Sequence, residues 1–63
     1  MHDMIEKLGF KKVVWKDEGN TKVIRGDTIV DDLFIIVTPE GQGPCWIKKE
    51  AVVFIKDIGG NND

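Results

Sequence analysis

Thr21-Lys22-Val23-Ile24-Arg25-Gly26-Asp27-Thr28-Ile29-Val30 is the stretch that decides the fold. β-Branched residues dominate it, which marks a strand, and Gly26 interrupts it near the middle. Glycine inside a strand commonly marks a bulge or a sharp bend. A long strand bent at Gly26 can serve both sides of a small barrel, so the expectation is a strongly bent all-β domain.

The flanking sequence repeats the strand signal in short units. Upstream, Lys12–Lys16 reads as a first strand, and Asp17-Glu18-Gly19-Asn20 has the composition of a tight hairpin turn. Downstream, Asp31-Asp32 forms the next turn and Leu33–Thr38 the third strand. Pro39-Glu40-Gly41-Gln42-Gly43-Pro44 holds two prolines and two glycines and reads as a loop. Cys45–Lys48 is a fourth strand, Lys49-Glu50-Ala51 suits a single helical turn, and Val52–Lys56 is a fifth strand. At the start, Met4, Ile5 and Leu8 share one helical face, so His2–Leu8 is predicted as a two-turn α-helix stopped by Gly9. Gly59 to Asp63 is expected to be a flexible tail. The organisation expected is one domain over residues 1–58, with the helix at 2–8, the barrel at 10–58 and the tail at 59–63.

Size then bears on assembly. A chain of 63 residues buries only about 60% of the surface its unfolded form exposes. Domains this small usually gain stability from disulfides, a metal or a partner subunit. The single cysteine, Cys45, excludes an intrachain disulfide, and with the single histidine, His2, leaves too few soft ligands for a structural zinc. No metal and no cofactor are expected, and association is what remains. Cys45-Trp46-Ile47 and Val52-Val53-Phe54-Ile55 are apolar on both faces, as strands covered by a neighbour would be. These seven residues are the candidate subunit interface. Pairing the fifth strand of one copy with the fourth of the next is a head-to-tail contact, which closes into a ring when the rotation permits.

Composition excludes several classes. With 41% hydrophobic and 32% charged residues the chain is a folded rather than a disordered type. No apolar run approaches the roughly 20 residues that cross a bilayer, and Met1 to Gly9 lacks a signal peptide's basic start and apolar centre. A soluble protein of a reducing, cytoplasmic compartment is expected. A net charge of -2 argues against a general polyanion binder and leaves room for a local basic patch.

Together these residues resemble the Sm-like superfamily, which includes the Sm and Sm-like proteins and bacterial Hfq. The likeness spans Val13 to Ile58. The first motif corresponds to Val14-Trp15-Lys16-Asp17-Glu18-Gly19-Asn20 and Val23-Ile24-Arg25-Gly26, followed by Asp32 and Phe34. The second is similar to the Hfq run of tyrosine, lysine, histidine and alanine ahead of a last apolar strand. Here it reads Lys48-Lys49-Glu50-Ala51 and then Val52-Val53-Phe54-Ile55. The resemblance implies a five-stranded SH3-like small barrel of the Sm kind, assembled as a homo-oligomeric ring of about five to seven subunits. It also implies single-stranded RNA binding, or an RNA-chaperone-type role, at the inner rim of the ring. The turns that would touch RNA are Asp31–Phe34 and Lys48–Ala51. The candidate RNA-binding residues are therefore Asp32, Phe34, Lys48 and Lys49, with Phe34 as a stacking platform and the lysines on phosphates or base carbonyls.

Departures and plainer roles stand beside this. Glu50 replaces the family's histidine and Lys48 its tyrosine, and a carboxylate at that position repels phosphate. Phe34, Trp15 and Trp46 are of the type that fills small cores and interfaces. Cys45 fits a small buried hydrophobe, and Lys7, Lys11, Lys12 and Lys16 form either a solvated face or a basic strip. Asp31 and Asp32 suit turn hydrogen bonding, and with no histidine or further acid nearby they make no catalytic set. Gly41-Gln42-Gly43 lacks the lysine, hydroxyl residue and helix of a phosphate loop. No enzyme activity is expected. The alternative to RNA binding is an SH3-like protein-interaction or structural assembly module.

Overall fold

The computed structural model describes residues 5–58, an all-β arrangement of five antiparallel strands in one open sheet. The strands are β1 (Glu6–Asp17), β2 (Asn20–Val30), β3 (Phe34–Thr38), β4 (Cys45–Lys48) and β5 (Val52–Asp57). A single 3-10 turn, Lys49–Ala51, joins β4 to β5. Across the sheet the order is β4-β3-β2-β1-β5. Among the described residues no helix is long and apolar enough to cross a membrane.

The expected N-terminal helix does not form where it can be followed. Residues 2–4 lie outside the described residues, and Glu6–Leu8 are the first part of β1. Glu6 pairs with Val30 and Lys7 with Ile29. A two-turn helix is marginal in isolation, whereas an eleven-residue β2 offers a full edge of backbone donors and acceptors. The register slips between Lys7 and Gly9, a bulge that takes up Leu8. The helical spacing of Met4, Ile5 and Leu8 is therefore not what decides this segment.

The first hairpin follows local chemistry. Asp17 pairs with Asn20, leaving Glu18 and Gly19 as a two-residue loop. Both have positive φ, 53° at Glu18 and 84° at Gly19, the condition for a type I′ turn matched to strand twist.

Chain length requires the sheet to curl. Strands β4 and β5 occupy opposite edges, yet only Lys49–Ala51 separates them. Five strands laid flat would hold their outer members about 19 Å apart at about 4.8 Å per strand. The four residue steps from Lys48 to Val52 reach about 14 Å at most. Gly26 marks the bend: β1 continues along β2 on both sides of it, β3 pairs only with Asp27–Val30, and β5 lies against Lys11–Trp15 of β1. A Cβ at Gly26 would sit 2.6 Å from the Thr38 carbonyl oxygen and 2.7 Å from the Pro39 nitrogen. Only glycine lets β3 run this close to β2.

The curl buries a small core between the two half-sheets. Val13, Ile35, Val37 and Ile47 are its centre, and Trp15, Ile24, Val30, Cys45, Val52 and Ile55 pack around them. Alternation explains the membership, since Ile35 and Val37, or Cys45 and Ile47, point the same way along a strand. In β5 the inward residues are Val52 and Ile55, three apart, because the β1–β5 register shifts between Val14 and Trp15. Thr28 is fully buried, and its hydroxyl donates to the Gly26 carbonyl at 3.0 Å. That bond meets the polar group's need inside an apolar core.

Candidate nucleic-acid interface

Two turns distant in sequence meet at the far end of the half-sheet built from β3 and β4. The first leaves β2 through Asp31, Asp32 and Leu33, and the Asp31 amide donates to the Phe34 carbonyl at 2.8 Å. The second is Lys49–Ala51, and the Lys49 amide donates to the Leu33 carbonyl at 2.9 Å. That bond ties one turn to the other. Phe34 and Lys48 are directly paired across β3 and β4, so their side chains rise from the same face.

The result is an open cleft of about 490 Å³ lined by Asp32, Leu33, Phe34, Lys48, Lys49 and Glu50. All four RNA-binding candidates, Asp32, Phe34, Lys48 and Lys49, are in it. Its volume falls in the range of small-ligand sites. Phe34 is half-buried on the outer side of β3 rather than in the core. Its ring meets that of Trp46 edge to face, with centroids 5.4 Å apart and planes at 74°. This holds the Phe34 ring in place while its rim borders the cleft. Leu33, 71% exposed, and Glu50 complete the lining. Leu33 lies between two candidates in sequence, and its turn position was the only signal for it.

The charges balance. Asp32 and Glu50 oppose Lys48 and Lys49, and among the described residues none of the four has an ion-pair partner. A cleft without net charge gives a polyanion little general attraction. It offers instead cationic donors and carboxylate acceptors around an aromatic edge, a set suited to the polar rim of a base.

The seven interface candidates divide by exposure. Ile47 is buried in the core, and Cys45, Val52 and Ile55 are half-buried against it. Trp46, Val53 and Phe54 are 58%, 54% and 47% exposed. The side chains on offer at the edges are therefore these three, along with the outer backbone of β4 and β5, which no described strand covers. Trp15 packs half-buried on the core, as does the free thiol Cys45. Among the basic residues, Lys11 is paired with Asp57 and Lys22 with Asp17, the latter at 3.2 Å. His2 lies outside the described residues.

Comparison with known proteins finds no family model, no curated protein and no solved structure that matches the chain.

Proposed function

We propose that the chain is an Sm-like small barrel that assembles head to tail into a ring and binds single-stranded RNA through the cleft between its two turns. The observation that carries this reading is the convergence of Asp32, Phe34, Lys48 and Lys49 on one cleft, tied by the Lys49-to-Leu33 hydrogen bond. The short β4–β5 link, which curls the sheet, supports a barrel. Exposure supports the ring: Trp46 of β4 and Val53 of β5 are exposed on the two edge strands, apolar surface that calls for a partner. Two uncovered strand edges on opposite sides of one subunit are the geometry of a head-to-tail contact. In the ring each cleft receives one base, stacked against Phe34 and read by Lys48 and Lys49. Repetition around the ring converts weak single sites into useful affinity.

Light scattering of the purified protein, followed by fluorescence anisotropy with labelled oligo-U and oligo-A, tests both halves of the proposal. The expected outcome is a monodisperse oligomer whose affinity for one oligonucleotide drops in Phe34→Ala and Lys49→Ala. A monodisperse monomer at micromolar concentration removes the ring. An oligomer without affinity for either oligonucleotide leaves the SH3-like assembly module, which the exposed Leu33 and Trp46 favour.

A further inference from the structure

Strand register brings together three cations that the sequence holds far apart. Lys12 of β1 is paired with Arg25 of β2 on one side and with Lys56 of β5 on the other. Val13, the neighbour of Lys12, is fully buried, so the row Arg25–Lys12–Lys56 crosses the outer face of the sheet. Residues paired in this way have Cα atoms about 4.5–5.5 Å apart, and like charges directly opposite are destabilising. Among the described residues none of the three has an ion-pair partner. The two ion pairs among the described residues use Lys11 and Lys22, which by alternation project from the opposite face. Two of the acids thus pair with cations on the other side of the sheet, and none of the described acids pairs with this row.

The rungs on either side of the row are aromatic or apolar. Val23, Val14 and Phe54 form the next rung, and Phe10 paired with Asp27 forms the one before. Phe10 is 54% exposed and Phe54 is 47% exposed. Asp27 is the acid that shares this face with the row, and Lys16, exposed beyond Val14, adds a fourth cation. Successive rungs on one face lie about 6.6 Å apart. Cations flanked by exposed aromatic rings are the combination that holds a flexible single strand, phosphates on the charges and bases on the rings.

We infer that the outer face of β1, β2 and β5 is a second docking surface, distinct from the cleft, for the backbone of single-stranded nucleic acid, with Arg25, Lys12 and Lys56 on phosphates and Phe10 and Phe54 beneath bases. A duplex, its bases already stacked, would leave the two phenyl rings unused. The inference stands whether or not the cleft binds RNA.

The test is anisotropy with labelled oligo-U between 50 and 200 mM salt, comparing wild type, K12Q/R25Q/K56Q and Lys49→Ala, with phosphatidylserine vesicles as a second probe. Each phosphate contact to a single strand contributes about 0.7 to the log–log salt slope. The triple variant should therefore lose about 2 from that slope and bind at least about tenfold more weakly at 50 mM salt. Its circular dichroism melt should be no lower than that of wild type, because like charges have been separated. Should the triple variant not fold, Arg25→Gln alone, at an exposed position, should lose about 0.7 from the slope. A folded triple variant with wild-type slope overturns the proposal. So does row-dependent binding to the vesicles without binding to oligo-U. Loss of oligo-U binding in Lys49→Ala alone would overturn the outer face and leave the cleft standing; loss in the triple variant alone would do the reverse.

Discussion

The two half-sheets carry their charge in opposite ways. On the outer face of β1, β2 and β5, Arg25, Lys12 and Lys56 line up with Asp27 as the acid on that face and, among the described residues, with no ion-pair partner. At the end of β3 and β4, Asp32 and Glu50 offset Lys48 and Lys49 around one aromatic edge. The first arrangement supplies attraction that is sequence-blind and sensitive to salt. The second supplies shape and hydrogen-bonding groups, which discriminate between ligands more than they attract them. A net charge of -2 is compatible with both, since most of the acids stand in turns or at strand ends.

The largest effect is expected at the bend that separates the halves. Gly26→Val places side-chain atoms on the Thr38–Pro39 backbone, and overpacking of this kind costs at least about 2 kcal/mol. A domain of this size has roughly 3–9 kcal/mol to lose, so the melting temperature should fall steeply and any assembly with it. A variant that melts within a few degrees of wild type would show that β3 moves away cheaply.

At the edges, Trp46→Glu and Val53→Asp put charge on one exposed apolar position of β4 and one of β5. Under the proposed head-to-tail assembly each should reduce the mass measured by light scattering to that of a monomer, because burying an unpaired charge in an interface costs several kcal/mol. Persistence of the oligomer in both would mean that subunits meet through another surface.

Within the cleft, Phe34→Ala should weaken oligo-U binding by about 1–3 kcal/mol for the base it supports. The salt slope should stay that of wild type, since no cation is lost. A change in slope with unchanged affinity would contradict the proposed division between a base-reading cleft and a phosphate-holding face. Glu50→Gln removes one exposed carboxylate beside Lys49 and should strengthen binding by about two- to threefold at low salt, in line with the modest worth of exposed charge pairs.

The smallest effect is expected at the first hairpin. Glu18 has φ 53°, a conformation asparagine adopts more readily. Glu18→Asn should recover part of the roughly 1–2 kcal/mol that the left-handed conformation costs an ordinary residue, measurable in urea denaturation, and leave both proposed binding surfaces untouched.

How much of this was legible follows how local the deciding interactions are. The hairpin at Glu18-Gly19, the Pro39–Pro44 loop and the turn at Lys49–Ala51 were readable because turn residues act through their own φ and ψ. Strand bounds near Gly26 were readable because β-branched runs and glycine act locally too. The expected N-terminal helix gives way to strand over Glu6–Leu8 because β2 is long enough to capture Glu6 and Lys7, a competition that periodicity cannot register. The two turns of the cleft follow from the resemblance to Sm-like proteins, whereas Leu33 and the Trp46 brace on Phe34 need cross-strand geometry. Nothing in the chain order of Lys12, Arg25 and Lys56 suggests that they adjoin.

By itself, then, the sequence determined an all-β domain with a bend at Gly26, tight turns, too little core for its size and no internal crosslink. The tertiary structure alone decided that a link too short to cross a flat sheet curls it, that Glu6–Leu8 join β1, and which charges adjoin. The physical reason is range. Turn chemistry and strand propensity act over two to four residues, whereas edges, curl and cross-strand rows exist only once distant segments have paired in register.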